Sequence, residues 1–414
     1  MTNAVENTSP KALRTLVLVL AYPHTASYYD DWRDAFLHSP HFSCAVENVL
    51  SVSLRQLEAK LKNFDVVIVL HSCNSDTLDF VEPLAPALAA RNNCKLIVFN
   101  GNEYNSPYVS MERRIAFLRN AQADFAATQL LLEAGEYLYA NAGCKIVSIP
   151  HALNPQAFSQ PGSDHRRPID IGVKGYRYPP YLGDDDRNKF IAELTVRAKS
   201  AGLTLDVSED KRFARSDWAQ YLSSCRGTVS TEAGSWYLCP NDQLVHDIRK
   251  YMRSKDKGLT LKNESALRRA VRKLPTPVKA ALWTLLKKGP VKFEMLEDYN
   301  TPFEEIEEKF FRGRLRPPVY GKAISSRHFD AIGMKTCQIL LEGRYSDILQ
   351  PHEHYIPVKS DLSNISDALA QFQDQDHVYK ITNTAHDFVM ASHTYAHRAD
   401  TVYRLLTETA KLTL

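Results

Sequence analysis

Ser325, Ser326, Arg327 and His328 stand together at the start of an apolar helical stretch, KAISSRHFDAIGMKTCQILLEG. Two hydroxyls that can cap a helix, followed by a guanidinium and an imidazole, suit either of two tasks. They form an ordinary N-cap with solvated neighbours, or they bind an anion at the positive end of the helix. A second group lies in GVKGYRYPPYLG, where Gly172 and Gly175 permit close backbone approach and Lys174 and Arg177 bring charge. The spacing is not the phosphate-cradling G-x-x-x-x-G-K-[ST] loop, so the stretch is an anion-binding loop or a surface turn. The acids of YDD (Tyr29 to Asp31) and GDDD (Gly183 to Asp186) invite a metal reading. Asp184 to Asp186 precede a helical pattern, however, and suit its N-cap and first turn, so no metal is assigned.

The elements that must position these groups alternate. In the first 150 residues, TLVLVLAY, DVVIVLHS, KLIVFN and KIVSIP read as strands buried on both faces. Between them SLRQLEAKLKNF, SDTLDFVEPLAPALAARN and MERRIAFLRNA have helical period. After the Pro-rich linker HALNPQAFSQPGSDHRRP a second alternation begins, running through IDIGVKGYRY, RNKFIAELTVRAKSAG, LTLDVS, RSDWAQYLSSC and RGTVSTEAG. It breaks into a helical stretch from about Pro240 to Val319, resumes with the Ser325 segment and HYIPV, and ends in a long helix from about Thr382 to Leu412. The expected fold is α/β: two Rossmann-like domains facing a cleft, with a helical insertion in the second. The boundaries fall at 1–153, 154–395 (insertion about 240–320) and 396–414, the last a helix packing back toward the first domain.

Bulk composition is compatible with this. The 414 residues suffice for two domains, and 44% hydrophobic with 24% charged residues is ordinary for a soluble globular chain. No run approaches the length of a membrane span. The apolar run after Pro10 lacks a charged leader and cleavage site, so it is read as a strand. Seven cysteines are scattered and never spaced C-x-x-C, which favours a reducing, cytoplasmic setting and excludes a zinc or disulfide framework.

Four stretches in order resemble the GT-B glycosyltransferases, nearest to bacterial members of the group-1, family 4-like clan. ADFAATQLLLEAGEYLYANAGCKIVSIPHALNPQAF is similar to the end of the first domain and its exit into the second. SSRHFDAIGMKTCQILLEG resembles the R-x-F-E-A-x-x-x-G-x-x-x-L segment of the sugar-nucleotide domain, HYIPVKSDLSNISDAL the strand and helix after it, and SHTYAHRADTVYRLL the closing H-T-Y-x-x-R helix. The resemblance implies a metal-independent transfer of a sugar from a nucleotide donor, with no cofactor. The acceptor implied is a growing cell-surface glycan or a lipid-linked one. Ser325 to His328 would then hold the diphosphate, and Gly172, Lys174, Gly175 and Arg177 would form a second phosphate or donor-sugar loop.

Asp330 falls where the clan has a Glu that contacts the ribose. The clan's other Glu, eight positions earlier, is Lys322 here. STEAGS instead ends a strand as the clan's glutamate-bearing loop does, so Glu232 is assigned to the sugar and Asp330 to the ribose, with the insertion between them. Glu342 is either near the sugar or ribose or a turn cap. A proton acceptor for an inverting reaction would come from a strand end of the first domain: His24, His71 or Glu103, with Glu103 and His24 preferred. The alternative reading is a non-catalytic protein that keeps the GT-B fold, as spore-coat and maturation relatives of the clan do.

The insertion is segregated in charge. Arg249 to Lys292 holds fourteen Lys/Arg and two acids, and Glu294 to Glu308 then holds seven acids. Asn263 is placed to cap ESALRRAVRKL, and Thr276-Pro277 to start VKAALWTLLKK, whose Leu282, Trp283, Leu285 and Leu286 are flanked by lysines. Residues 249–292 suit an anionic membrane surface at the inner face, or internal pairing with the following acids. Nucleic acid is disfavoured, because aromatic residues are not interleaved with the bases.

Overall fold

The structure, a computed structural model, describes residues 12–21, 27–103, 108–159, 167–175, 177–208, 213–255, 259–261, 270–271, 274, 278, 291–293 and 301–411. The apolar runs become two parallel sheets. The first contains β1 (Leu13–Val19), β2 (Phe42–Asn48), β3 (Val66–Val69), β4 (Lys95–Phe99), β5 (Phe125–Thr128) and β6 (Lys145–Ser148), in the order β2-β1-β3-β4-β5-β6. Every residue of β3 and the last four of β4 are buried, as strands covered by helices on both faces require. The edge strand β2, by contrast, has one buried residue, the rest being half-buried or exposed, and its sequence FSCAVEN carries no continuous apolar run.

Helix Leu54–Leu61 starts where Ser53 and Gln56 form a reciprocal capping box. The stretch SDTLDFVEPLAPALAARN yields only a 3-10 turn, Glu82–Leu84, and a short helix, Ala85–Ala89, because Pro83 and Pro86 interrupt hydrogen bonding.

The second sheet is formed by β7 (Ile169–Lys174), β8 (Leu205–Ser208), β9 (Cys225–Ser230), β14 (Cys337–Leu341) and β15 (Ile356–Val358), in the order β15-β14-β9-β7-β8. Beyond β9 the chain makes β10 (Ala233–Gly234), leaves into the insertion, and returns as β13 (Lys322–Ala323), which pairs antiparallel with β10. The insertion was expected to be helical throughout. Its described part contains helix Gln243–Lys255 and a turn of helix at Phe303–Ile306, but also a parallel pair, β11 (Leu259–Leu261) with β12 (Val291–Phe293). The expected helices at 264–274 and 278–288 fall almost wholly outside the described residues.

The terminal helical stretch divides into helices Gln375–Ser392 and Tyr395–Lys411. At the break, the Leu153 N–H donates to the His393 carbonyl (2.9 Å) and the Tyr395 N–H to the Leu153 carbonyl (2.9 Å). The two inter-sheet crossings thus run side by side. Arg398 fastens them by donating to the Pro150 carbonyl (3.0 Å) and the His151 carbonyl (3.2 Å). Tyr395, Ala399, Val402 and Leu406 join the core of the first sheet with Trp32, Phe36 and Phe99.

Three further contacts cross between the halves. Arg215 meets Asp31 (2.7 Å), Arg344 meets Glu133 (2.8 Å), and the Met111 N–H donates to Asp242 of the insertion (2.8 Å). No helix among the described residues is long and apolar enough to cross a membrane.

Candidate functional site

Two helices of the second domain begin close together, and each carries an arginine in its first turn. Asp186–Ser200 follows the β7 loop and places Arg187, while Ser326–Gly333 follows β13 and places Arg327. A cation there opposes the helix dipole, so an arginine at the N-terminal turn costs stability unless an anion sits nearby. The two guanidinium groups converge on Gly175. A β-carbon at that glycine would lie 2.6 Å from an Nη of Arg327 and 2.8 Å from an Nη of Arg187. Gly175 therefore serves a close approach of two cations.

Arg187 is buried, stacks on Tyr178 (5.1 Å to the ring centre), and makes no hydrogen bond or ion pair among the described residues. Arg327 is exposed at the mouth, lies over Trp218 (5.5 Å), and donates to the Lys174 carbonyl. Beneath them is a pocket lined by Lys174, Trp218, Ser230, Arg187, Arg327 and Gln338 among others. The Gln338 Nε2 at the pocket is buried without an acceptor among the described residues. Two cations and an unused donor thus surround one small space, an arrangement whose chemistry suits an anion.

The other expected residues sit in several different settings. Ser325 is the N-cap, and its N–H donates to Nδ1 of His328 (3.0 Å). The capping reading thus holds at this helix start, with Ser326 half-buried beside it. Accepting at Nδ1 leaves the proton on Nε2, which lies near the Thr231 backbone but makes no good hydrogen bond among the described residues. Burial, and secondarily the charges of Arg187 and Arg327, push the His328 pKa down to about 3. His328 is a neutral donor at neutral pH, not a cation.

An unfolded histidine titrates near 6.5, so this group's contribution to stability is present above that pH and is lost as pH falls toward 3. Replacing His328 by Asn keeps an acceptor for the Ser325 N–H. We expect the His328→Asn protein to lose about 2 kcal/mol less stability than wild type between pH 7.5 and 5, read by urea unfolding at the two pH values.

Lys174, in the pocket lining, has its ammonium paired with Asp206 and lying over Tyr221 (5.1 Å). Gly172 serves helix packing rather than ligand approach: a β-carbon there would lie 2.4 Å from the Cys225 Sγ and 2.5 Å from the Tyr221 hydroxyl. Arg177 is exposed on the loop after β7, and Glu342 is exposed after β14. Asp330 is buried, accepts from Trp218 Nε1 (3.0 Å), and is pushed well up by burial, with Asp31 of the first domain nearby.

Glu232 is also buried, but among different neighbours. Its Oε1 accepts from the Tyr345 N–H (2.6 Å), and its Oε2 from the Tyr320 hydroxyl. Burial raises its pKa. No direct contact between Glu232 and Asp330 appears. Lys322, standing where the clan has its glutamate, is buried between Asp184 (2.9 Å) and Asp186 (3.0 Å), and Trp236 stacks on it (4.1 Å). The acid triplet thus does more than begin a helix, since it holds the returning end of the insertion.

In the first domain, Glu103 is an internal strut. It accepts from the Thr128 hydroxyl (2.5 Å), the Gln129 N–H (2.8 Å) and the Tyr139 hydroxyl (2.8 Å), and burial raises its pKa. His71 follows β3 inside a shell of Trp32, Phe99, Tyr28 and His151, with both ring nitrogens lacking partners among the described residues. Burial holds it neutral, well below the usual range. His24 lies outside the described residues. Arg187, Tyr320 and Trp218 were not singled out from the sequence. For Arg187 there was a usable signal, a cation in a first helical turn.

Two parallel sheets joined by paired crossings define a fold class. The chain is similar in structure to an α-glucosyltransferase solved with UDP-glucose and DNA containing an abasic site (7% identity, TM-score 0.50, 96% of this chain and 100% of that one). It is also similar to HepE (Alr3699) of Anabaena solved with UDP-glucose (10%, 0.46, 97% and 100%). A further likeness is to sucrose-phosphate synthase of Thermosynechococcus elongatus (11%, 0.47, 97% and 100%). The first of these fixes the fold as GT-B. Residues 313–404, which include the helix of Ser325 to His328, match the sequence profile of a family described as glycosyl transferase-like. No curated protein matches the chain in sequence.

Proposed function

We propose that the chain is a glycosyltransferase that takes a sugar from a nucleoside-diphosphate sugar and passes it to a cell-surface glycan or lipid-linked acceptor. The observation that carries this is the convergence of Arg187 and Arg327 on Gly175, at the starts of two helices. A diphosphate placed there gains two charge-assisted contacts and meets two positive helix ends. The departing nucleoside diphosphate develops negative charge as the glycosidic bond to it breaks, and the same groups stabilise that charge. They supply in protein form the charge that a bound metal would otherwise provide, so in this reading the transfer is metal-independent. In this reading Glu232 serves the sugar and Asp330 the ribose, although neither is among the residues that line the pocket.

The described part of the basic insertion favours internal pairing. Lys255 pairs with Glu305, Arg312 with Glu308, and Lys309 lies over Tyr251 (4.1 Å). Contact with an anionic membrane surface at the cytoplasmic face is assigned to the segment around Trp283, outside the described residues.

The test is a thermal-shift screen with UDP, GDP, dTDP and CMP and their sugars. A binder at about 100 times its Kd adds about 2.7 kcal/mol of apparent stability, a shift of a few degrees. One nucleoside diphosphate is expected to stand out, and inorganic pyrophosphate should compete with it. No shift with any of them sinks the proposal. Binding without turnover of the matching sugar nucleotide favours the non-catalytic reading, for which the full engagement of both Glu232 oxygens speaks.

A further inference from the structure

The insertion is clamped at its base more tightly than two loop ends need to be. Gly234 pairs with Lys322 across β10–β13, and the carbonyl of Gly321, just before β13, accepts from the Ser235 N–H (3.0 Å). A β-carbon on Gly234 would meet the Gly321 carbonyl oxygen at 2.2 Å, and one on Gly321 the Ser235 carbonyl oxygen at 2.1 Å. This approach delivers Tyr320, the residue before Gly321, to the end of β9.

There its hydroxyl donates to Glu232 Oε2 and accepts from the Arg344 N–H (3.2 Å), while its ring lies under the Arg344 guanidinium (5.3 Å) and edge-on to Trp236 (5.5 Å). Glu232 in turn takes the Tyr345 N–H on its other oxygen. Gly343 is again a glycine out of necessity, since a β-carbon there would lie 2.3 Å from Glu232 Oε2.

Immediately after Gly343 the chain makes an unusual turn. Tyr345, Ser346 and Asp347 have φ of 46°, 55° and 59°, three successive non-glycine residues in the left-handed region. Each costs on the order of 1 kcal/mol or more and persists only where its surroundings dictate it. The anchors are Glu232 and Tyr320, together with the Ile324 N–H, which donates to the Ser346 hydroxyl (3.2 Å). The Tyr345 ring packs edge-on to His328 (5.2 Å), so the strained turn walls the helix start that carries Arg327.

We infer that Tyr320 is a positioning residue of the donor site, holding the Glu232 carboxylate and through it the strained turn Arg344–Asp347. The insertion, through its returning end, is then a structural member of that site and not an appendage. The link to a donor rests on the nucleotide-sugar reading; the anchoring of the turn does not. The hydroxyl also helps to keep Glu232 ionised against its burial.

The test uses Tyr320→Phe, which keeps the ring contacts and deletes one hydroxyl. Amide exchange of the 343–347 segment, followed by mass spectrometry on the full chain, should rise at least about tenfold. The pH below which the segment loses protection should rise by about one unit, because Glu232 then protonates more readily. Simple loss of packing would not move that pH. Glu232→Gln should accelerate exchange to a similar extent, since an amide N–H then opposes a donor, and the double variant should be no worse than either single one. UDP, used as the nucleotide probe, should bind Tyr320→Phe at least about threefold more weakly than wild type, because the turn that walls the Arg327 helix start is released. Unchanged exchange and an unmoved pH in Tyr320→Phe, or strictly additive effects, would overturn the inference. Failure of wild type to bind any nucleotide overturns the donor reading alone, and the exchange arm still decides the anchoring.

Discussion

Arg187→Met will make the protein more stable and unable to hold a nucleoside diphosphate. Both halves of that outcome stem from one fact: the guanidinium is buried against Tyr178 with no hydrogen bond or ion pair among the described residues, and the Arg327 guanidinium also reaches Gly175. Burying a cation without a carboxylate is costly, and a second cation alongside adds repulsion. Methionine fills a similar length with no charge to desolvate, so a gain of about 1–3 kcal/mol is expected in urea unfolding. Nucleotide binding should fall about 100-fold, equivalent to about 2.7 kcal/mol, because one of two charged clamps is gone. Arg327→Met should weaken binding comparably without the stability gain, being exposed and already bonded to the Lys174 carbonyl. Undiminished binding of the nucleotide by Arg187→Met would remove the basis of the functional reading.

Lys322→Met should have the opposite effect on the fold. Its ammonium is nine-tenths and more buried and is the cation shared by Asp184 and Asp186. Removing one partner from a buried pair leaves the other charge uncompensated, which costs about 3–5 kcal/mol. Asp184 bears most of this, its side chain being 1% exposed against 41% for Asp186. The loss should be seen as a drop in the unfolding midpoint. A paired change, Lys322→Met with Asp184→Leu, should recover most of it, since a matched apolar replacement removes the orphan. Because the triad joins the β7 loop to β13, nucleotide binding should weaken in the single variant and return in the pair. A Lys322→Met protein as stable as wild type would show that Asp184 is neutral in the fold.

The sheets were legible because strands buried on both faces cannot hide, and β1, β3 and β4 are continuous apolar runs. β2 was not, since one edge of it is wet and its residues are mixed. In the site, Ser325 was legible as a helix cap, while His328, read with Arg327 as a group for the anion, instead accepts from the Ser325 N–H. Arg187 was hidden by the acids before it, which explain a helix start well enough to stop further questions. Tyr320 was hidden by distance, 88 residues from Glu232, and only the tertiary pairing of β10 with β13 brings them together. Gly172 shows the limit of a glycine signal. It says that nothing larger fits, but not whether a ligand or a tyrosine fills the space.

The helix Tyr395–Lys411 gives the molecule an unusual order of assembly. Its side chains supply one wall of the first sheet's core, beside Trp32 and Phe36, although almost the whole second domain separates them in sequence. As the chain leaves the ribosome, the first sheet emerges with an apolar face uncovered and keeps it until this helix follows the second domain. The second domain, by contrast, has all its strands before that point. The first sheet is therefore completed after the second, and it is the one that needs shielding in the meantime.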